Sequence, residues 1–496
     1  MPEGPQRLYS AAQTRALDSA AIERCSIPGH VLMRRAAEAA YARLLRRWPA
    51  PAAIIVLCGG GNNGGDGYLL AALAKKRGHA VRVFHGSDPS RLRGDAASAC
   101  EQALAEGVPV AAWERGALQA EPESVVVDAL LGTGLGGPVR EDVARIIDTL
   151  NGSGLPVLAV DIPSGLCADS GTVLGSAVRA TATVSFIGRK RGLYTGAGPD
   201  HCGDLDFDDL AVPAAVYAAV PPGDSWTLLD PARERDALAP RPADAHKGHF
   251  GNVLVIGGER GMGGAALLAA EAALRAGAGL VRIATRAEHV APALARLPAA
   301  MAAAVADVHE LQPLLAVSDV LVLGPGLGRG PWAEQLYECA RGAQLPAVLD
   351  ADALALLAAR GDPWSAPAVL TPHPGEAARL LGSDSARVQA DRFASARALA
   401  ERYRATAVLK GNGSLVAAPD GAGALCAAGN PGMATGGMGD VLAGLIGGLL
   451  AQGLDGAAAA RLAVSTHAAA ADLAAADGQR GLLPTDLFAP LRRLLA

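Results

Sequence analysis

The groups in this chain that could do chemistry gather in two places. Late in the sequence, Gly436-Gly437-Met438-Gly439-Asp440 runs straight into the apolar Val441-Leu442-Ala443-Gly444-Leu445-Ile446. Three glycines in four residues let the backbone turn its N–H groups inward, and the apolar run reads as the first turns of a buried helix. Unpaired amides and the positive end of the helix dipole favour an anion at such a start. Asp440, at its mouth, is placed to take a proton from an alcohol attacking a bound phosphoryl group, so the chemistry indicated is phosphoryl transfer to a hydroxyl. Just upstream, Lys410-Gly411-Asn412-Gly413-Ser414 offers a lysine and several amides to the phosphate or ribose of a nucleotide. No Gly-x-x-x-x-Gly-Lys-Ser/Thr motif is present, so this is not a P-loop protein.

The second place lies in the first half. Gly59-Gly60-Gly61-Asn62-Asn63-Gly64-Gly65-Asp66-Gly67 follows the strand-like Ala52–Cys58. Two amides and a carboxylate inside the loop separate it from the dinucleotide fingerprint, because Asn62 and Asn63 can donate to phosphate or offer carbonyl oxygens to a cation. Another strand-like run ends at Asp128 before Gly132-Thr133-Gly134-Leu135-Gly136-Gly137-Pro138, and a third ends at Asp161 before Ile162-Pro163-Ser164-Gly165. A single Asp after a strand is ordinarily a turn or a helix cap. In open α/β sheets, however, ligands lie beyond the carboxyl ends of the strands, so Asn63, Asp66, Asp128, Asp161 and Ser164 are expected to converge there.

The elements that must position these groups alternate. Apolar spacing from Leu8 to Trp48 reads as two helices split by Ile27-Pro28-Gly29, and Tyr68 to Lys76 as the helix after the first glycine loop. In the second half, strands at Val253–Ile256, Val320–Leu323, Pro346–Asp352, which ends in two carboxylates, Val369–Leu370 and Ala407–Leu409 alternate with helices such as the Ala-rich Gly264–Ala276. The fold class expected is α/β, two doubly wound three-layer αβα domains, Rossmann-like over 1–222 and ribokinase-like over 223–496. Val220-Pro221-Pro222-Gly223-Asp224-Ser225 is the most linker-like piece. His246 and His249 lack further Cys or His neighbours and read as a loop packed near the nucleotide or substrate, not as metal ligands.

Composition narrows the function classes. A length of 496 residues with half of them hydrophobic and 19% charged suits two soluble domains, and a net charge of −5 gives no pull toward nucleic acid or an anionic membrane. The seven cysteines contain no C-x-x-C pair, as in a reducing cytoplasm, and the polar, turn-rich Met1–Gln6 does not read as a signal peptide.

Two family resemblances follow from these motifs. Gly61–Gly67, Asp128-Ala129-Leu130-Leu131-Gly132-Thr133-Gly134 and Asp161-Ile162-Pro163-Ser164-Gly165-Leu166 resemble the NAD(P)H-hydrate epimerases from about Ala16 to Pro213. The resemblance implies substrate loops at Asn62, Asn63, Gly64, Gly65 and Asp66 and at Gly132 to Pro138. It also implies Asp161 beside the nicotinamide and a potassium ion on Asn63, Asp128 and Ser164. Leu32-Met33-Arg34-Arg35-Ala36-Ala37 departs from the family pattern in lacking an acid and a glycine, which bears on packing or oligomer contacts.

From about Arg241 to Leu495, Gly324-Pro325-Gly326-Leu327-Gly328, Thr371-Pro372-His373-Pro374-Gly375-Glu376 and Gly436–Asp440 resemble the ADP-dependent NAD(P)H-hydrate dehydratases of the ribokinase-like superfamily. Met438 favours that branch over sugar kinases, whereas Leu297–Met301 lacks an expected glutamate. Implied are substrate contacts at Ala265, Gly326, His373 and Asp440, and nucleotide contacts at Lys410, Gly411, Asn412, Gly413, Ser414 and Gly439. Also implied are an anion hole at Gly437, Met438 and Gly439, Mg²⁺ on the nucleotide, and ADP as phosphoryl donor. Glu376 is a candidate to hold Mg²⁺ through water. The substrates implied are NADHX and NADPHX, the protein a cytoplasmic homo-oligomer, and Asp161 either a base or a stabiliser of a cationic ring. The rival readings are a vitamin or sugar kinase with a regulatory domain, and a ligand-binding scaffold for protein or RNA.

Overall fold

The computed structural model describes residues 6–86, 88–114, 116–118, 123–220 and 226–496. The polar start over residues 1–5 and the linker over 221–225 lie outside the described residues. The chain divides into two compact units, Arg7–Trp226 and, apart from the N-terminal end, Thr227–Ala496.

The sheet of the first unit runs Val110–Ala112, Val81–His85, Ile54–Cys58, Val125–Ala129, Val157–Val160, Ala182–Phe186, Asp204–Asp208, all parallel. Ile54–Cys58 and Val125–Ala129 are buried along their whole length, which is why they read as apolar runs, the second interrupted only by Asp128. Strand order reverses between these two strands, and ligands bind at that point in doubly wound sheets. The helix after the first strand begins at Asn62, not at Tyr68, so the amides and Asp66 ride on its opening turns. Its glycines are there for close approach: a Cβ on Gly64 would lie 2.1 Å from the Gly59 carbonyl oxygen, and one on Gly67 2.7 Å from the Ala129 Cβ. Poor intrinsic helix propensity hid this start.

In the second unit the order is Met301–Ala304, Leu280–Thr285, Asn252–Ile256, Val320–Leu323, Ala347–Leu349, Ala368–Leu370, Thr406–Leu409, again parallel, then the antiparallel Ser414–Ala417 and Gly423–Cys426. The buried helix Met438–Leu450 lies in this unit's core against Gly263–Ala276. Added Cβ atoms on Gly444 and Gly448 would meet the carbonyl oxygens of Ala269 and Ala273 at 2.0 and 2.6 Å, so the two backbones approach closely.

Candidate active sites

At the switch point of the first unit, a cavity of about 540 Å³ opens beyond the strand ends. Asn62, Asn63, Asp66, Gly132, Thr133, Gly134, Leu135 and Asp161 line it, as expected. Gly64 packs inward on Gly59 and Gly65 against Met33 and Ala96, while Gly136, Gly137 and Pro138 are not among the lining residues. Four charged lining groups escaped sequence reasoning: Arg15 and Asp18 from the helix Ala11–Glu23, Asp95, and Lys190.

Asp161 has φ 68°, in the left-handed region that a non-glycine residue enters at a cost of about 1–3 kcal/mol, a strain typical of functional positions. Its Oδ1 accepts from Lys190 Nζ and from Phe186 N at 3.2 Å. Lys190, whose side chain is 1% exposed, donates also to Ser185 Oγ at 3.0 Å and Phe186 O at 2.9 Å. Burial pushes the Asp66 carboxyl well above its ordinary range, with the Asp161 and Asp18 charges adding to the effect and Lys190 opposing it. Burial raises Asp18 to about 6, again with a contribution from Asp161.

Behind this wall, Ser164 Oγ donates to Asp128 Oδ1 at 2.6 Å and Ser164 N to Oδ2 at 2.8 Å. Leu131 N donates to Ser164 Oγ, and Asn63 Nδ2 to Leu131 O at 3.0 Å. Asn63, Ser164 and Asp128 are thus joined through Leu131. Asn63 Oδ1 is buried with no hydrogen-bond partner among the described residues. A buried carbonyl oxygen without a donor is costly, and the Asp128 carboxyl at the other end of this linkage is raised by burial to about 6. This donor set suits a hard monovalent cation.

In the second unit the glycine turn does open a helix: Gly437 is its N-cap at φ 97°, and Asp440 lies in the first turn. Beneath it sits a group that the sequence reading placed at a strand end but gave no role in the site. Asp350, 1% exposed at the end of Ala347–Leu349, takes hydrogen bonds on Oδ1 from Thr371 Oγ1 at 2.7 Å and Lys410 Nζ at 2.8 Å. Gly439 passes over this pair, since a Cβ there would be 3.2 Å from Lys410 Nζ and 3.6 Å from Asp350 Oδ2. Burial, joined by the charge of Asp350 and opposed by Lys410, raises Asp440 to about 7. Burial works against the charge on Lys410, yet the carboxylates of Asp350 and Glu376 outweigh it and raise the amine.

The nucleotide candidates form a closed turn in which Gly411 N donates to Ser414 Oγ and Ser414 Oγ to Gly411 O; Asn412 and Gly413 lie between. Under it, Arg392, 1% exposed, donates from Nη2 to the carbonyls of Leu409, Lys410 and Gly413. Ala265 and Gly326 adjoin: a Cβ on Gly326 would lie 3.2 Å from that of Ala265. His373 caps the helix Pro374–Leu381, with Glu376 Oε2 accepting from His373 N at 2.8 Å, so Glu376 is engaged in a capping box.

One expectation is corrected. His246 and His249 stack with ring centroids 3.7 Å apart in the turn Lys247–Phe250, which precedes the strand Asn252–Ile256 and accepts from Gly279 N just before Leu280–Thr285. The turn lies at the amino ends of the strands, opposite the ends that carry Asp350 and Lys410. It is not packed near Lys410–Ser414, the candidate nucleotide turn.

Comparison with known proteins places the chain among relatives of known family. The family model described as NAD(P)H-hydrate dehydratase matches residues 253–493, and that described as YjeF-related protein N-terminus matches residues 29–192. A bifunctional NAD(P)H-hydrate repair enzyme of Coxiella burnetii is 47% identical over 492 residues, covering 98% of this chain and 99% of its own. One from Vibrio cholerae is 42% identical, covering 99% of this chain and 98% of its own. Among solved structures, a hypothetical protein of Streptococcus mutans superposes with TM-score 0.51 at 32% identity, covering 54% of this chain and 98% of its own. A ribokinase-like superfamily protein of Enterococcus faecalis gives 0.50 at 31%, covering 54% and 94%.

Proposed function

We propose a division of labour between the two units from one premise: the chain belongs to the bifunctional NAD(P)H-hydrate repair enzymes. It is an NAD(P)H-hydrate epimerase and dehydratase. In the proposal Arg7–Trp226 exchanges the R and S epimers of the hydrated cofactor, and Thr227–Ala496 dehydrates the S epimer with ADP.

The observation that carries the second assignment is Asp440 in the first turn of a helix, over the Lys410–Asp350 pair. The substrate carries a hydroxyl at C6 of the ring, and hydroxide is a poor leaving group. Asp440 takes the proton from that hydroxyl as its oxygen attacks the terminal phosphoryl group of ADP, releasing AMP. The amides of Gly437, Met438 and Gly439 hold the negative charge that develops. The ring nitrogen's lone pair then expels phosphate to leave a cationic ring, and loss of a proton from C5 to water restores the dihydropyridine. Among the described residues no group of three or more His, Cys, Asp or Glu could hold a metal, which fits Mg²⁺ carried on the nucleotide phosphates, where it would neutralise their charge.

In the first unit, the C6–O bond breaks with its electron pair on oxygen, a proton joins that oxygen, and water leaves. Water then returns to either face of the cationic ring and gives up a proton. Asp161 stabilises the cation, and Asp66, whose carboxyl burial shifts toward its protonated form, is the proton source on the same wall. Asn63, Asp128 and Ser164 would hold potassium, whose positive charge would anchor the glycine loops. Cytoplasmic location and a homo-oligomeric state complete the proposal; among the described residues no helix is long and apolar enough to cross a membrane.

The test is Asp440→Asn. ADP-dependent recovery of the reduced-nicotinamide absorbance should fall by about 10²–10⁴-fold while epimer exchange, followed by chromatography, persists. Loss of both activities contradicts separate sites.

A further inference from the structure

We propose that Lys190 is a positioning residue for epimerisation, one that acts on the substrate only through Asp161. The inference rests on the reading of Asp161 as the carboxylate facing the ring. An ammonium group has three protons, and those of Lys190 have three acceptors: Asp161 Oδ1, Ser185 Oγ and Phe186 O. Nothing remains to donate to a ligand, although the residue lines the cavity.

What the ammonium does is fix its neighbour. Phe186, the last residue of Ala182–Phe186, accepts from Lys190 through its carbonyl and donates through its amide to Asp161 Oδ1. Oδ1 is thus held twice, while Oδ2 makes no hydrogen bond with the described residues and belongs to a side chain 17% exposed at the cavity wall. Asp161 also keeps a left-handed backbone conformation that costs energy unless its surroundings enforce it. The Lys190 tether spans from one strand end to the next and supplies that enforcement. The charged groups sharing the cavity are Asp18, Asp66, Asp95 and Arg15. Lys190 is the cation placed against Asp161, so it also keeps that carboxylate from being crowded out by its acidic neighbours.

A double-mutant cycle in the full chain tests this. Lys190→Met should lower kcat for epimer exchange by about 10–100-fold and change KM by less than about threefold, because orientation is lost and not binding. Asp161→Asn/Lys190→Met should exchange at the same residual rate as Asp161→Asn alone, since two residues acting as a unit are not additive. ADP-dependent dehydration of the S epimer, measured on the same samples, should be unchanged. Ser185→Ala removes one acceptor and leaves the charge, and should give a smaller loss of kcat that also vanishes in the Asp161→Asn background; it carries the test if Lys190→Met does not fold. Unchanged exchange in Lys190→Met, equal fold-losses with and without Asp161, or a loss confined to KM would each overturn the proposal. Undiminished exchange in Asp161→Asn would instead overturn the underlying reading of Asp161.

Discussion

Asp350→Asn probes how the dehydratase base is tuned. Burial and the charge of Asp350 together bring Asp440 to about 7, against the pull of Lys410. A carboxylate must be ionised to accept a proton, so the chemical step should rise with pH through that value and level off above it. The substitution removes a like charge and leaves the Lys410 ammonium, bonded to Asp350 at 2.8 Å, facing a neutral group in place of a carboxylate, so less of its positive charge is offset, and both changes favour the ionised form of Asp440. Repulsion between partly buried carboxylates at an effective dielectric near 20 is worth on the order of 1–2 kcal/mol, or about one pKa unit. The acid limb should therefore move down by about one unit, and burial keeps it above the ordinary range. At about pH 6 the ionised fraction then rises from roughly a tenth to roughly a half, so the rate relative to each enzyme's own plateau increases about fivefold. The assay is single-turnover recovery of reduced-nicotinamide absorbance from the S hydrate at saturating ADP and Mg²⁺, from pH 5 to 9. Titration of the nucleotide is common to both profiles and cancels in the comparison. Superimposed normalised profiles, or an acid limb moved upward, would refute the reasoning.

Three further outcomes are expected. Arg392→Met removes a buried guanidinium bonded to three carbonyls in and beside the Lys410–Ser414 turn, so KM for ADP should rise about tenfold or more with the hydrate's KM little changed; steady-state kinetics in each substrate decides it. Asn63→Ala deletes the unpartnered carbonyl oxygen, and the potassium concentration giving half-maximal exchange should increase about tenfold, whereas an unaltered potassium dependence would remove Asn63 from that site. Gly444→Ala places a Cβ 2.0 Å from the Ala269 carbonyl oxygen and should destabilise the second unit by about 1–3 kcal/mol, read from denaturant midpoints.

The strand ends and glycine turns were legible because their signals are local. Buried strands are continuous apolar runs, and Gly437 is needed where the backbone enters φ 97°. Tethering partners were not legible, because they lie far off along the chain: 60 residues separate Lys410 from Asp350, and 29 separate Lys190 from Asp161. A lysine in Gly188-Arg189-Lys190-Arg191 reads as a surface charge until the sheet brings its stem under Asp161. Arg392 reads likewise as part of an exposed polar helix start, yet it lies under the nucleotide turn. The helix start at Asn62 was missed for a different reason, since tertiary contact with Gly59 and Ala129 overrides the low propensity of its glycines.

The central claim is that two carboxylates in two units carry two separable steps. The direct measurement supplies a mixture of R- and S-NADHX with ADP and Mg²⁺ to the wild-type chain and to Asp161→Asn. The wild type should convert the whole mixture to NADH. The variant should convert the S fraction at the wild-type rate and then slow to uncatalysed exchange. Rapid, complete conversion by Asp161→Asn would contradict the account.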